Sequence, residues 1–209
     1  MARITKNPEL RRSEILDTAE FLFNTKGYEN ASLNDIAEKV GIVKGTLYYY
    51  FKTKEDILNA IAERFCNNII SMAYEIVDDN SMDALTKIRA VLLKEFNYDR
   101  NNSSTLEHLH EWDNIKVHQR IFILMVERQS PVFAKIIEQG ISEGIFKTEY
   151  PLETVQFIMA GYRMLFDQAH FSWNDTEMKR MLKATQIIIE NSLGVKKGSF
   201  EFLCDGSLN

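Results

Sequence analysis

The side chains best suited to chemistry lie in one short stretch near the amino terminus, from Lys44 to Tyr50. On a helix, its outward face would present an ammonium group, a bare backbone position and three hydroxyl groups. These groups belong to Lys44, Gly45, Thr46, Tyr48 and Tyr49. Ammonium and hydroxyl groups bind phosphate oxygens and base edges, so this face indicates a contact with nucleic acid.

The residues around this stretch predict the two helices that must position it. Ser32 and Asp35 have the spacing of a capping pair, which begins a helix. Gly41 tolerates a positive φ and therefore predicts the end of that helix. In the second helix, Leu47 and Phe51 lie one turn apart and would face inward. The two helices together form a predicted helix-turn-helix.

The motif KGTLYYYFKTKEDIL, preceded by SLNDIAEKVGI, resembles the DNA-binding signature of the TetR family of bacterial transcription regulators. The resemblance covers about the first 65 residues. It implies an all-α fold, in which a three-helix helix-turn-helix head precedes a larger helical body for ligand binding and dimerisation. We accordingly expect a DNA-binding domain over residues 1–53, a body over 54–194 and a polar tail over 195–209.

The resemblance also implies DNA-binding roles for seven residues. Phosphates would be held by Thr46, Tyr48, Tyr49 and Lys54 with assistance from Ser32, and base edges would be approached by Lys44 and Gly45. Val43 departs from the family pattern, which usually has Ser or Thr just before the recognition helix. Valine can neither cap the helix nor donate to a phosphate, so we expect that contact to be lost and the base preference to be shifted. The alternative for each of the seven residues is an exposed polar position with no partner.

Charge is unevenly distributed along the chain, whose net charge is -5. Residues 1–54 contain 9 Lys and Arg against 7 Asp and Glu, about +2, which leaves about -7 for the remainder (16 against 23). A less acidic head on an acidic body suits a protein that touches DNA at one end. Arg3 and Lys6 form either a basic arm that reaches the DNA or a solvated tail.

Several classes of protein are disfavoured. No stretch approaches the roughly 18 apolar residues of a membrane span, and no signal peptide is evident, so we expect a cytoplasmic protein with no membrane partner. Cys66 and Cys204 lack metal-ligand spacing and fit free thiols in a reducing cytosol. Motifs for nucleophilic, phosphate-binding or zinc chemistry are missing, so we expect no catalytic residue and no cofactor.

Helical periodicity extends through the body. Helices are expected from about 9 to 25, 53 to 78, 81 to 96, 104 onward, 117 to 129 and 131 onward. The helices at about 152–171 and 176–193 are the candidates for self-association, because the first is apolar around most of its circumference. By resemblance they would form a four-helix bundle in a homodimer, and the alternative is a monomeric core. The alternatives for Phe200, Phe202 and Leu203 are docking on the body and an exposed position in the polar tail.

The body is expected to bind a small molecule among aromatic side chains. The candidate pocket residues are Phe65, Phe96, Trp112, Phe122, Tyr162 and Phe166. Each of them could instead belong to the ordinary core. Nearby acidic side chains favour a cationic or hydroxylated ligand, whereas Arg163 favours an acidic one. The acidic residues are Glu107, Glu111, Asp113 and Asp167.

One cluster offers an alternative as a metal site. His108 and Glu111 share a helical face, and Asp167 and His170 have the same i, i+3 spacing on a later helix. His110 lies beside the first pair. A histidine on a helix is more often a packed or surface residue, so we assign no metal site.

Together with the resemblance to the TetR family, these patterns lead us to expect a homodimeric repressor that binds double-stranded DNA at an inverted-repeat operator and is released by a small-molecule effector. The resemblance also implies that the effector would act through the helix that begins at Lys54 and change the spacing of the two heads. The alternatives are a transcription activator or a metal-responsive regulator of the same fold, a helical metal-dependent enzyme, and a protein-binding helical module.

Overall fold

The computed structural model describes residues 7–101, 115–167 and 171–205. Within these residues the chain forms eight α-helices and no strand, which confirms the predicted all-α class. The helices are α1 (Pro8–Lys26), α2 (Leu33–Val40), α3 (Lys44–Tyr50), α4 (Lys54–Val77), α5 (Ala84–Asn101), α6 (Ile115–Ser142), α7 (Pro151–Leu165) and α8 (Asp175–Ser192). A 3₁₀ helix over Glu201–Leu203 follows α8.

The chain divides into two compact units. The first contains Met1–Phe65 and Asn102–Arg120, and the second contains Cys66–Asn101 and Ile121–Asn209. The domain boundaries predicted after residues 53 and 194 stay predictions. None of the described helices is long and apolar enough to cross a membrane.

The first three helices confirm the predicted helix-turn-helix. At the start of α2, the Asp35 carboxylate accepts a hydrogen bond from the Ser32 N–H (2.9 Å), and the Ser32 hydroxyl oxygen accepts one from the Asp35 N–H (3.2 Å). The helix ends at Gly41, whose φ of 75° lies in the left-handed region. In this unit α1 packs on α2 and α2 packs on α3. Leu47 and Phe51 are buried, as predicted.

The predicted cap of α4 is also present. The Asp56 carboxylate accepts hydrogen bonds from the backbone N–H groups of Lys52 (3.0 Å) and Thr53 (2.8 Å). The Thr53 hydroxyl oxygen accepts one from the Asp56 N–H (3.0 Å). These bonds satisfy donors that a helix start leaves unpaired. They fix the turn that joins α3 to α4.

A buried lysine holds the carboxyl end of α4 within the second unit. The Lys87 ammonium donates to the Val77 carbonyl oxygen (2.5 Å) and to the Gln139 side-chain oxygen (2.7 Å). The Gln139 amide in turn donates to the Met82 carbonyl oxygen (2.9 Å). Since a buried ammonium without acceptors is strongly unfavourable, these contacts restrain the end of α4 against α5 and α6.

One predicted break between helices is wrong. The sequence predicts a helix that ends near Gln129 and another that begins at Pro131, but α6 runs without interruption over Ile115–Ser142. A proline inside a helix removes a hydrogen bond and costs about 3 kcal/mol. Tertiary packing offsets this cost, because Gln129, Ser130 and Val132 are completely buried.

Two predicted helix boundaries also need correction. Helix α5 begins at Ala84 rather than Ser81, since the Ser81 hydroxyl donates to Asp79 (2.6 Å) and belongs to the turn. Helix α7 ends at Leu165 rather than at residue 171. There the Trp173 indole N–H donates to the Leu165 carbonyl oxygen (2.7 Å), which satisfies an acceptor that the helix end leaves free. The helix predicted from residue 104 lies outside the described residues.

The segment after α8 docks on the second unit. Phe200 and Phe202 are buried. One carboxylate oxygen of the buried Glu190 accepts hydrogen bonds from the N–H groups of Gly198 (2.9 Å) and Phe200 (3.0 Å) and from the Gln186 amide (2.8 Å). Burial raises the pKa of Glu190, but these hydrogen bonds outweigh it and the net pKa lies below its usual value. The described part of the predicted tail is thus a packed segment.

The cap of α2 predicts a specific sensitivity to acid. Hydrogen bonds from the Ser32 hydroxyl and N–H, and then from Lys26, lower the pKa of Asp35 to about 2. A carboxylate whose pKa is depressed in the folded state stabilises the fold above its unfolded pKa of about 3.9. This stabilisation is lost as the pH falls through about 2.

We predict that Asp35→Asn lowers the free energy of unfolding at neutral pH and that its difference from wild type shrinks between about pH 4 and pH 2. Urea unfolding followed by circular dichroism at a series of pH values measures this. Glu38→Gln, which alters an exposed carboxylate of α2 outside the cap, is the matched control. A difference for Asp35→Asn that persists undiminished at pH 2 would contradict the proposed cause.

Candidate functional site

The outward face of α3 is exposed in the first unit. Tyr49 is 77% exposed and Tyr48 is 44% exposed. Lys44 and Gly45 are exposed as well, and Thr46 is half-buried. The five residues that the sequence analysis selected in α3 therefore lie on the accessible side of a seven-residue helix. Their contact with DNA stays a prediction.

Gly45 has no structural role within the part of the chain that the structure describes. Its φ is not positive, and a Cβ atom placed on it would meet no atom within 4 Å. A glycine in a helix costs up to about 1 kcal/mol relative to alanine. The bare position is thus open to a close approach from outside the chain.

Lys52, which the sequence analysis did not select, holds the end of α3. Its ammonium donates to the Tyr48 carbonyl oxygen (2.7 Å), one of the acceptors left free at the end of the helix. Val43 at the start provides no side-chain cap, as predicted from its side chain. The available signal was a lysine two residues after the end of the helix, near enough for its side chain to bind the last carbonyls.

Two predicted phosphate ligands also make internal contacts. The Ser32 hydroxyl donates its single proton to the Asp35 carboxylate (2.7 Å), so a phosphate there would compete with Asp35. The Lys54 ammonium donates to the carbonyl oxygens of Tyr28 (2.7 Å) and Glu29 (3.3 Å). It also lies 4.2 Å from the centre of the Tyr28 ring. An ammonium has three N–H groups, which leaves Lys54 one donor for an external acceptor.

The second unit contains a cavity of about 230 Å³. Side chains from α5, α6, α7 and α8 line it, and Phe200 and Leu203 of the C-terminal segment complete the wall. Most of the lining is aliphatic or aromatic, as in small-molecule sites. Among the predicted pocket residues, Phe96 and Tyr162 lie on this cavity.

The other predicted pocket residues lie elsewhere. Phe65 is buried and belongs to the first unit. Phe122 is half-buried in α6, and Phe166 stacks on Tyr162 with ring centres 4.5 Å apart, but neither lines the cavity. Trp112 lies outside the described residues. The assignment of these residues to a ligand pocket stays a prediction.

Three polar side chains on the cavity wall form a continuous chain of hydrogen bonds. The Arg163 guanidinium donates to the Gln129 side-chain oxygen (2.8 Å), and the Gln129 amide nitrogen donates to the Glu95 carboxylate. All three residues line the cavity. The sequence analysis noted Arg163 but missed Glu95 and Gln129. The sequence signal for these two residues was that each is a polar residue on a helix face that is otherwise apolar.

A larger open groove of about 760 Å³ runs along α7 and α8. It leaves apolar side chains in solvent, with Phe157 87% exposed and Ile188 58% exposed. Gly161 also lies on this groove, and a Cβ atom there would meet nothing within 4 Å. A contiguous exposed apolar surface marks a site of association.

Asp167 is the one member of the alternative metal cluster within the described residues. The other members, His108, His110, Glu111 and His170, lie outside the described residues, as do Arg3, Lys6, Glu107 and Asp113. Across residues 7–101, 115–167 and 171–205, no three His, Cys, Asp or Glu side chains form a group that could hold a metal ion.

Two family models match the chain. The model described as bacterial regulatory proteins of the tetR family matches residues 15–61, which include α2 and α3. The model described as the tetracyclin repressor-like C-terminal domain matches residues 97–188. Together the two matches cover more than half of the 209 residues.

One relative is the HTH-type transcriptional repressor KstR2 of Mycobacterium tuberculosis (strain CDC 1551 / Oshkosh). It is 23% identical over 158 residues, which cover 74% of this chain and 78% of KstR2. A solved transcriptional regulator from Cytophaga hutchinsonii ATCC 33406 has a TM-score of 0.65 at 20% identity, covering 88% of this chain and 98% of its own. RolR in complex with resorcinol has a TM-score of 0.66 at 15% identity, covering 94% of each chain.

The two solved structures share the fold of this chain. The matched family models and the relative describe transcription regulators and not enzymes, so the alternative of a metal-dependent enzyme is not supported. This chain therefore belongs to the TetR family and is a DNA-binding transcription regulator.

Proposed function

We propose that this chain is a homodimeric repressor that binds an inverted-repeat operator through α3 and releases it when a small molecule binds. Repression is favoured because the relative KstR2 is a transcriptional repressor. A cytoplasmic location is favoured by Cys66 and Cys204, which are both free thiols. The observation that carries the proposal is the exposed polar face of α3, with its unexplained glycine.

In this proposal α3 enters the major groove. Lys44 donates to guanine, and Gly45 lets the backbone come close to the base edges. Support comes from the open space around Gly45, because no contact in the described chain accounts for the missing side chain. Val43, which is exposed and provides no side-chain cap, would sit beside the groove without binding phosphate.

Phosphates on either side of the groove would be held by Ser32, Thr46, Tyr48, Tyr49 and Lys54. Their hydroxyl and ammonium groups carry little sequence information and mainly fix the position of the protein on the duplex. Lys54 is suited to this role because one of its N–H groups is left over from its contacts with Tyr28 and Glu29. Binding through such contacts should weaken steeply as the salt concentration rises.

Dimerisation would cover the groove along α7 and α8. A second copy of the same two helices supplies a matching apolar surface, and the four helices form a bundle. The open space at Gly161 supports a close helix approach across this interface. The two-fold axis would place the two α3 helices about 34–36 Å apart, or a multiple of that distance, on one face of the DNA.

The cavity of the second unit would be the effector site. RolR binds resorcinol in its solved complex, and we propose that this chain likewise responds to a small molecule. Helix α4 contributes residues to both units and is held at its carboxyl end by Lys87. A ligand that binds more tightly when the carboxyl end of α4 is in one position than in another would shift the population toward that position. The affinity for DNA would change as a result.

The role of Gly45 gives a test in which stability and DNA affinity move in opposite directions. Gly45→Ala should raise the free energy of unfolding by up to about 1 kcal/mol, because alanine favours the helix. It should reduce DNA affinity about tenfold or more, because the new methyl group would stand between the backbone and the bases. Urea unfolding and fluorescence anisotropy with a duplex enriched from random DNA measure the two effects.

Asn191→Ala is the matched control, since it replaces an exposed residue of α8 with a better helix former in the second unit. It should raise stability slightly and leave DNA affinity unchanged. If Gly45→Ala binds DNA as tightly as wild type, the proposed approach of the α3 backbone to the bases is wrong.

A second test concerns the dimer. Phe157→Asp should convert the protein to monomers at micromolar concentration, because a carboxylate would be buried at the centre of the interface without a partner. Sedimentation equilibrium measures this, and circular dichroism should show an unchanged helix content. Leu10→Asp, which adds the same charge at an exposed apolar position of α1, should remain dimeric. A dimeric Phe157→Asp protein would place the interface elsewhere.

A further inference from the structure

The cavity of the second unit has an apolar body and one polar edge. Its apolar walls include Ile88, Phe133, Val155 and Ile189. Its ionisable side chains are Glu95, Arg163 and the Tyr162 phenol. Gln129 lies between the two charges and is 0% exposed. Its amide accepts from the guanidinium on one side and donates to the carboxylate on the other, which fixes the orientation of all three groups.

The two charged ends of this hydrogen-bond series, Arg163 and Glu95, have different partners. The Arg163 guanidinium has five N–H donors, and its acceptor among the described residues is the neutral Gln129 amide. The Glu95 carboxylate is separated from the guanidinium by that amide instead of pairing with it directly. Charged groups in an apolar setting are stabilised by direct pairing with an opposite charge. Since no carboxylate among the described residues pairs with Arg163, its guanidinium is suited to bind an anion in the cavity.

We propose that the effector is a small amphipathic acid whose carboxylate pairs with Arg163 while its apolar part fills the cavity. The planar guanidinium can bind a carboxylate through two parallel hydrogen bonds, and Gln129 would hold it in position for this. The inference rests on the proposed function, because it names the ligand class of the same effector site. It also decides between the acidic and cationic ligands that the sequence left open.

The size of the cavity restricts the apolar part. An apolar cavity of about 150 Å³ accommodates benzene, so a volume of about 230 Å³ holds a molecule of about nine non-hydrogen atoms. A single aromatic ring with a carboxylate, such as benzoate, has this size. Drug-sized ligands need cavities of about 300–1,000 Å³ and would not fit without rearrangement.

A cationic ligand fits this arrangement poorly. An ammonium beside Arg163 would face a like charge. A neutral alcohol could accept from Arg163 but would leave the guanidinium charge without a counter-ion. The head group of the ligand, and not its apolar part, should therefore determine affinity.

The test compares three probes with the same ring: benzoate, benzyl alcohol and benzylamine. Each is titrated into the full-length protein without DNA, and binding is followed by ligand-observed nuclear magnetic resonance or calorimetry. Benzoate should bind about ten- to a hundredfold more tightly than benzyl alcohol, because a hydrogen bond to a charged group is much stronger than a neutral one. Benzylamine should bind most weakly of the three.

Variants connect this order to Arg163. Arg163→Gln should remove the preference for benzoate over benzyl alcohol, and Arg163→Lys should keep part of it because the charge remains. Glu95→Gln should tighten benzoate binding by removing a like charge from the cavity. Arg180→Gln, which removes an exposed arginine of α8, is the matched control and should behave as wild type. Thermal unfolding of each variant shows whether the fold is retained.

Several outcomes would overturn the inference. They are equal binding of benzoate and benzyl alcohol, tighter binding of benzylamine, no detectable benzoate binding at millimolar concentration, or an unchanged preference in a folded Arg163→Gln protein. DNA affinity is measured separately by anisotropy. A protein that fails to bind any DNA refutes the proposed function, whereas one that binds DNA but lacks the head-group preference refutes this inference alone.

Discussion

Helix α3 is too short to be stable by itself, and this constraint governs the first unit. Its seven residues are well below the about 12–15 that an isolated helix needs in water, and its start has no side-chain cap. It is held because Leu47 and Phe51 are buried and because Lys52 binds the Tyr48 carbonyl oxygen. The outward face of α3 is therefore available to DNA only while the helices around it remain packed.

The features that position α3 could be predicted because they arise from contacts between near neighbours in the chain. The capping boxes pair residues three apart, Ser32 with Asp35 and Thr53 with Asp56. The stop at Gly41 needs one residue with a left-handed conformation. Spacing alone reveals such contacts, and the apolar periodicity then shows which side of each helix is buried. Fold class and the outward face of α3 followed from these signals.

The features of the second unit that were missed depend on residues far apart in the chain. Arg163 and Glu95 each lie 34 residues from Gln129, so no local pattern brings them together. The burial that carries α6 through Pro131, and the docking of the C-terminal segment on Glu190, likewise come from tertiary packing. Acidic and basic residues were both present in the sequence, and only the folded chain shows that Arg163 faces the cavity.

Selection of bound sequences from random double-stranded DNA tests the central claim most directly, because it requires α3 to face outward and the protein to be a dimer. The account predicts enrichment of an inverted repeat whose half-site centres lie about 10–10.5 base pairs apart, or a multiple of that spacing. Enrichment of a single half-site would contradict the dimer. Failure to enrich any sequence at low salt, where phosphate contacts are strongest, would contradict the role of α3 itself.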